Sequence, residues 1–135
     1  YLKKFKDFIM MEYLKKPSYD VDYFKFKNKQ LISVRERLNP SGIPYKGNII
    51  KRNREVELYC KRIAKILKLK GLVDFDIMHN EKNKPVLLEL NPRPSGSVVV
   101  NHFAGFNFLS IILKIIYNEK INFSTKFSGI KKITV

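Results

Sequence analysis

The spacing between the apolar runs limits what this chain can fold into more than any other feature. Phe8 to Leu14, Tyr19 to Phe26 and Gln30 to Glu36 read as three strands. The breaks between them are only Lys15-Lys16-Pro17-Ser18 and Lys27-Asn28-Lys29. A parallel crossover takes a dozen residues or more, so these runs pair as an antiparallel meander. Leu72 to Met78 and Pro85 to Leu90 obey the same rule, with His79 to Lys84 as the polar turn of a hairpin. Asn39-Pro40-Ser41-Gly42-Ile43-Pro44 is a loop by composition.

One helix is well marked. Between Asn53 and Lys70, Val56, Cys60, Ile63 and Leu67 recur at steps of four, three and four, and Tyr59 and Ala64 widen the stripe. Asn53 suits the N-cap, and Gly71 is expected to end the helix in a left-handed conformation. A largely apolar helical region is expected from Val98 to Tyr117, and one or two strands from Ile121 to Val135. The fold class is therefore α+β, a mostly antiparallel sheet with flanking helices.

With 135 residues the chain makes one small domain or part of a larger one. Its 27 basic and 12 acidic residues give a formal charge of +15. Such a field attracts polyanions, although a Lys-, Ile- and Asn-rich composition also arises from an AT-rich genome without any specific partner. A basic nucleic-acid-binding module is one reading of this charge, but no nucleic-acid-binding signature accompanies it. The single Cys60 rules out a disulfide within the chain, and two histidines with one cysteine make no zinc pattern. No apolar run reaches membrane-spanning length, so a cytoplasmic protein is expected.

The chemistry concentrates in Asp74-Phe75-Asp76 and Glu89-Leu90-Asn91-Pro92-Arg93-Pro94-Ser95-Gly96-Ser97. Alternation puts Glu89 and Asn91 on one strand face, about 7 Å apart, and Asp74 and Asp76 on one face of the neighbouring strand. A register that brings Asp76 opposite Glu89 and Asn91 would converge hard oxygen ligands suited to Mg²⁺. Pro92 stops the strand and places Arg93 just beyond, where a guanidinium can grip a phosphoryl group or carboxylate. A surface ion-pair network without metal is the competing account. Against it, Glu89 sits between Leu88 and Leu90, where a carboxylate needs a partner.

Gly71-Leu72-Val73-Asp74-Phe75-Asp76, followed by Leu88-Glu89-Leu90-Asn91-Pro92-Arg93, closely resembles the C-terminal lobe of ATP-grasp enzymes, nearest the carbamoyl-phosphate-synthetase-like group. Ala104-Gly105-Phe106-Asn107 matches a step that often follows. Met11-Glu12-Tyr13-Leu14 resembles the family's adenine-binding hinge, Val21-Asp22 its next strand, and Arg35 and Arg37 the basic pair before its mobile loop. The resemblance runs from about residue 8 to about residue 108. It implies an ATP- and Mg²⁺-dependent ligase that joins a small carboxylate to an amine or other nucleophile through an acyl phosphate. Asp76, Glu89 and Asn91 would hold the metal, Arg93 the transferring phosphoryl group, and Arg35 or Arg37 the substrate carboxylate. Glu12, Tyr13, Leu14 and Asp22 would line the nucleotide site. Ser95 and Ser97 would contact substrate or phosphate, or simply form the turn.

Two departures qualify this. Ser18 stands where the family usually has an acid for the ribose hydroxyls. The family's N-terminal domain and small lobe would precede residue 1, so the chain is expected to be a fragment, inactive alone, that docks with the rest of the same enzyme. Apolar surface left by that missing part could instead drive homodimer formation. A degenerate ATP-grasp-like binding module is the other alternative.

Overall fold

A computed structural model of the chain describes residues 10–38, 47–121 and 131–133. Six strands form one sheet in the order β5-β4-β1-β2-β3-β6. The strands are β1 Lys15–Phe26, β2 Lys29–Arg37, β3 Asn48–Ile50, β4 Gly71–His79, β5 Pro85–Asn91 and β6 Lys131–Ile133. Every neighbouring pair is antiparallel. Helix α1, Arg54–Ile66, lies between β3 and β4 in sequence, and a 3-10 helix at Val98–Ala104 precedes helix α2, Phe108–Ile116. The expected α+β sheet with flanking helices is thus present. Its tail contributes β6, and the rest of the tail and the Asn39–Pro44 loop lie outside the described residues.

Period-two alternation sorts the central strands onto two faces. Tyr19, Val21 and Tyr23 of β1, Val34 of β2 and Val73, Phe75 and Ile77 of β4 form one core with Val56, Cys60 and Ala64 of α1. The Tyr23 and Phe75 rings meet edge to face, with centroids 6.3 Å apart. The opposite face is divided along its length. Leu31, Phe24 and Leu72 are cross-strand partners, and with Ile50 they pack beneath Val100, Ala104, Phe106 and Phe108. The next rows along the same face are polar.

Three boundaries differ from expectation, each for a physical reason. The run Phe8 to Leu14 is no buried strand where it is described: Met10, Met11 and Tyr13 are exposed, and nothing among the described residues pairs with them. Lys15 to Ser18, read as a break, instead opens β1, with a register shift between Lys15 and Tyr19. Helix α1 begins on Asn53, whose side chain accepts a hydrogen bond from the Val56 amide at 3.2 Å, but it stops before Gly71. Lys68 takes the left-handed conformation at φ 53°, its amide donates to the Lys65 carbonyl, and that of Leu69 donates to Ala64. This is the Schellman termination, formed here without glycine because Leu69 packs back on the core. Gly71, at φ 79°, starts β4.

The apolar region after residue 98 is broken in two. Gly105, at φ 85°, caps the 3-10 helix, and the two segments meet at a bend of 101°. Asn107 then restarts the chain as α2 by accepting from the Ser110 amide at 3.0 Å. Among the described residues no single helix is long and apolar enough to cross a membrane.

Candidate metal centre

The polar part of the sheet consists of two cross-strand rows. Arg35 of β2 stands opposite Asp20 of β1, which stands opposite Asp76 of β4 and then Glu89 of β5. In the second row Ser33, Asp22, Asp74 and Asn91 take the same places. The register that brings Asp76 against Glu89 is therefore present, and Asp74, two residues back on the same face, is set opposite Asn91. A bulge follows: Asp76 pairs with Glu89 but Ile77 with Leu87, so Leu88 is the extra residue. Without it, Leu87 and Glu89 would share a face all along the strand.

Burial rises from the edge of the sheet inward. Glu89 is exposed and Asn91 half-buried on edge strand β5, whereas Asp74 is 4% exposed and Asp20 2%. Water therefore satisfies the Glu89 charge. Its leucine neighbours do not force a partner on it, contrary to the sequence-based argument, because the strand lies at the sheet edge. Inside, the ionised form is disfavoured. Burial, aided by Asp22, Asp20 and Asp76, pushes the Asp74 carboxyl up to about 7 against the pull of Arg35. Burial likewise raises Asp76 to about 6, with Arg37 opposing and Asp20 and Glu89 adding repulsion.

The basic pair divides into two distinct environments. Arg35 is fully buried. Its guanidinium reaches Asp22 at 2.6 Å, the Ser95 hydroxyl at 2.7 Å and the Ser97 carbonyl at 3.1 Å, and also touches the Ser97 hydroxyl. Arg37 has 28% of its side chain exposed and spans two acids, donating to Asp76 at 2.9 Å and ion-paired with Asp20. Arg35 thus has no exposed surface, whereas the Arg37 side chain is open to solvent.

Asp22 is likewise interior. Its carboxylate accepts from Arg35, from the Ser95 amide at 3.2 Å and hydroxyl at 2.9 Å, and from Asn101 Nδ2 at 2.7 Å. Ser97 donates to Asp20 at 3.1 Å, and Ser33 donates to Asn101 at 2.7 Å. With no exposed surface, Asp22 cannot line a nucleotide site as expected. It is the post to which the loop after β5 is tied. Ser95 and Ser97 are the ties. Asn101 is a site-supporting residue that sequence reasoning did not single out.

The remaining candidates sit around this core. Arg93 is exposed just past β5, its guanidinium on the Pro94 carbonyl at 2.9 Å and in no ion pair among the described residues. It is thus free to meet an incoming anion. Glu12, Tyr13 and Leu14 precede β1 along a surface-exposed stretch, and Ser18 is buried. Lys16, Pro17, Ser18, Arg37, Leu38 and Lys51 border a surface concavity of about 430 Å³ beside that stretch. His79 is buried, edge-on to Tyr19 with its Nδ1 3.3 Å from the Pro17 carbonyl, a structural role. Cys60 is core, its thiol pushed up to about 12 by burial.

These donors fit a hard divalent cation: several carboxylate oxygens on one face, one of them buried without a hydrogen-bond partner.

The same fold is seen in solved ligases. An L-amino acid ligase from Bacillus licheniformis matches with a TM-score of 0.65 at 16% identity, covering 89% of this chain and 34% of that one. An N5-carboxyaminoimidazole synthetase from Staphylococcus aureus matches at 0.64 and 15%, covering 82% and 32%. An N5-carboxyaminoimidazole synthase from Aspergillus clavatus, in complex with ADP and 5-aminoimidazole ribonucleotide, matches at 0.61 and 17%, covering 83% and 32%. The chain spans about a third of the length of these proteins. No curated protein sequence matches it. The family described as ATP-grasp in the biosynthetic pathway with Ter operon matches residues 4–134, nearly the whole length, and to that ATP-grasp family the chain belongs.

Proposed function

We propose that this chain is the C-terminal, metal- and phosphate-binding lobe of an ATP- and Mg²⁺-dependent ligase that activates a small carboxylate as an acyl phosphate. The observation that carries this reading is the register: Asp76 faces Glu89, Asp74 faces Asn91, and Arg93 follows immediately beyond Pro92. Asp76, Glu89 and Asn91 would hold Mg²⁺, which when bound neutralises the phosphate oxygens of ATP and helps align them. Arg93 supplies a mobile positive charge to the transferring phosphoryl group. Arg37 reaches the substrate carboxylate, and the exposed Glu12-Tyr13-Leu14 stretch contacts adenine. Asp22, Arg35, Ser95, Ser97 and Asn101 act behind these groups by fixing the loop that carries Arg93.

Phosphoryl transfer depends on position and charge neutralisation, and a rigid sheet with one tied loop supplies both. The structural relatives are about three times longer, and the remaining polypeptide would close over ATP, so the chain alone is inactive on this reading. A cytoplasmic location follows from the need for ATP. The carbamoyl-phosphate-synthetase-like group and amide-forming ligases both use this chemistry, and acceptor choice belongs to the absent part. One observation favours a degenerate module instead: Arg37 already neutralises Asp76.

Calorimetry with the full-length parent tests the proposal. Mg²⁺-dependent ATP binding is expected, and Glu89→Ala with Asn91→Ala should abolish it. A parent that binds no nucleotide at millimolar concentration refutes the ligase reading and leaves the degenerate module.

A further inference from the structure

Four of the chain's five aspartates, Asp20, Asp22, Asp74 and Asp76, stand in the two polar rows. Only two guanidiniums, Arg35 and Arg37, are ion-paired with them, so among the described residues four carboxyl groups share two cations. Asp22 is fully engaged by Arg35, Ser95 and Asn101, which leaves the deficit on the other three. We propose that Asp20, Asp74 and Asp76 form a seat for a hard divalent cation, one that fills without nucleotide and lies inward of the Glu89 and Asn91 edge.

Three observations carry this. One carboxylate oxygen from each of the three aspartates lies within 4.8 Å of the others. Ca²⁺ holds its oxygen ligands at about 2.3–2.6 Å and Mg²⁺ at about 2.0–2.1 Å. Three oxygens gathered this closely can share one such ion once the side chains draw slightly inward. Second, Asp74 is 4% exposed and its Oδ1 is buried with no hydrogen-bond partner among the described residues. An unpaired buried carboxylate is costly, and a cation directly before it removes that cost. Third, Arg37 already stands as a cation between Asp20 and Asp76 but forms no ion pair with Asp74 among the described residues. It is partly exposed, so it has a route to swing out as an ion enters. Glu89 and Asn91 belong to the outer strand and are not needed for the seat.

The test is a titration of the full chain with Mn²⁺ in the absence of nucleotide, free Mn²⁺ being read by electron paramagnetic resonance. About one tightly held Mn²⁺ per chain is expected. The Glu89→Ala, Asn91→Ala variant should keep it within about twofold, whereas Asp74→Asn should weaken it at least about tenfold, the loss typical of even indirect ligand changes. Should Asp74→Asn fail to fold, Asp20→Asn decides: it leaves the Glu89 and Asn91 edge untouched and should likewise weaken Mn²⁺ binding at least about tenfold. A chain that holds no Mn²⁺, an Asp74→Asn or Asp20→Asn variant that binds as well as the parent, or loss of binding in the Glu89 and Asn91 variant overturns the seat. Because no nucleotide is present, the seat and the ligase reading fail separately.

Discussion

Replacing Asp22 by alanine separates a buried structural post from a nucleotide contact. Asp22 is fully buried, and its carboxylate is the acceptor for Arg35, for both donors of Ser95 and for Asn101. Its loss leaves a buried guanidinium with neutral acceptors on Ser95 and Ser97 and, as its one charged partner among the described residues, Asp20 at 3.6 Å. Removing one partner of such a pair costs about 3–5 kcal/mol. A domain of this size is stable by about 5–15 kcal/mol in total, so Asp22→Ala removes a large share. With a urea dependence of about 2 kcal/mol per molar, the unfolding midpoint should fall by about 1.5–2.5 M. Ser95→Ala, which loses one donor to Asp22 and one acceptor for Arg35, should cost about 1–2 kcal/mol and fall between the two proteins. The assay is urea denaturation followed by circular dichroism, without ligand. An Asp22→Ala chain that unfolds within 0.3 M (about 0.6 kcal/mol at that slope) of the parent refutes the reasoning, and a selective loss of ATP affinity would return Asp22 to the nucleotide.

Three further outcomes follow from the same geometry. Asp74 and Asp76 are raised to about 7 and about 6, above the ordinary unfolded value near 3.9. The stabilising contribution of their protonated forms is complete below about pH 4 and is lost as pH rises through 6 and 7. In chelator the melting temperature should therefore drop between pH 5 and 8, and Mg²⁺ should restore it at pH 8; a rise over that window contradicts the assignment. Lys68→Gly should stabilise the chain, since a side chain at φ 53° costs about 1–2 kcal/mol that glycine avoids. A gain of about 3–7 °C in thermal melting is expected, and a loss would show that the Lys68 side chain matters more than its backbone. Arg37→Gln should tighten Mn²⁺ binding by removing the internal cation, and unchanged or weaker binding would show that the guanidinium does not compete.

Alternation and turn length made most of the site legible. The strand pair around Asp76 and Glu89 followed from a short polar turn, and a period of two then fixed which side chains share a face. The same logic was available for β1 and β2: with Lys27 and Asn28 as the turn, Phe26 meets Lys29, which forces Asp20 against Arg35 and Asp22 against Ser33. Reading Arg35 as a substrate ligand passed over that pairing. Asn101 was not legible, because it reaches Asp22 from 79 residues away and depends on how the 3-10 helix settles over the sheet. The Leu88 bulge was hidden for a different reason, as Leu87 and Leu88 are chemically interchangeable in a strand pattern. The end of α1 was missed because glycine was sought where lysine adopts the turn. In each case the missing information was tertiary: a neighbour's position decided the outcome.

The net charge of +15 is a poor guide to this site, and the sheet shows why. Charge summed over a chain governs encounter with distant anions, whereas chemistry depends on which charges share a surface. Among the described residues the basic side chains are spread over helices, turns and strands, while four aspartates are drawn into two adjacent rows on one face. Asp22 is paired with Arg35, Asp20 and Asp76 share Arg37, and Asp74 and Asp76 stand next to the edge strand that carries Asn91 and Glu89. Under the proposed ligase reading, a basic chain with its acids gathered on one sheet face favours a ligand that is anionic yet brings its own metal. MgATP meets both conditions, and free nucleic acid meets only the first. If the proposed ligase reading holds, high salt should accordingly slow nucleotide association through the basic charge, while leaving in place the metal dependence proposed for Asp76, Glu89 and Asn91.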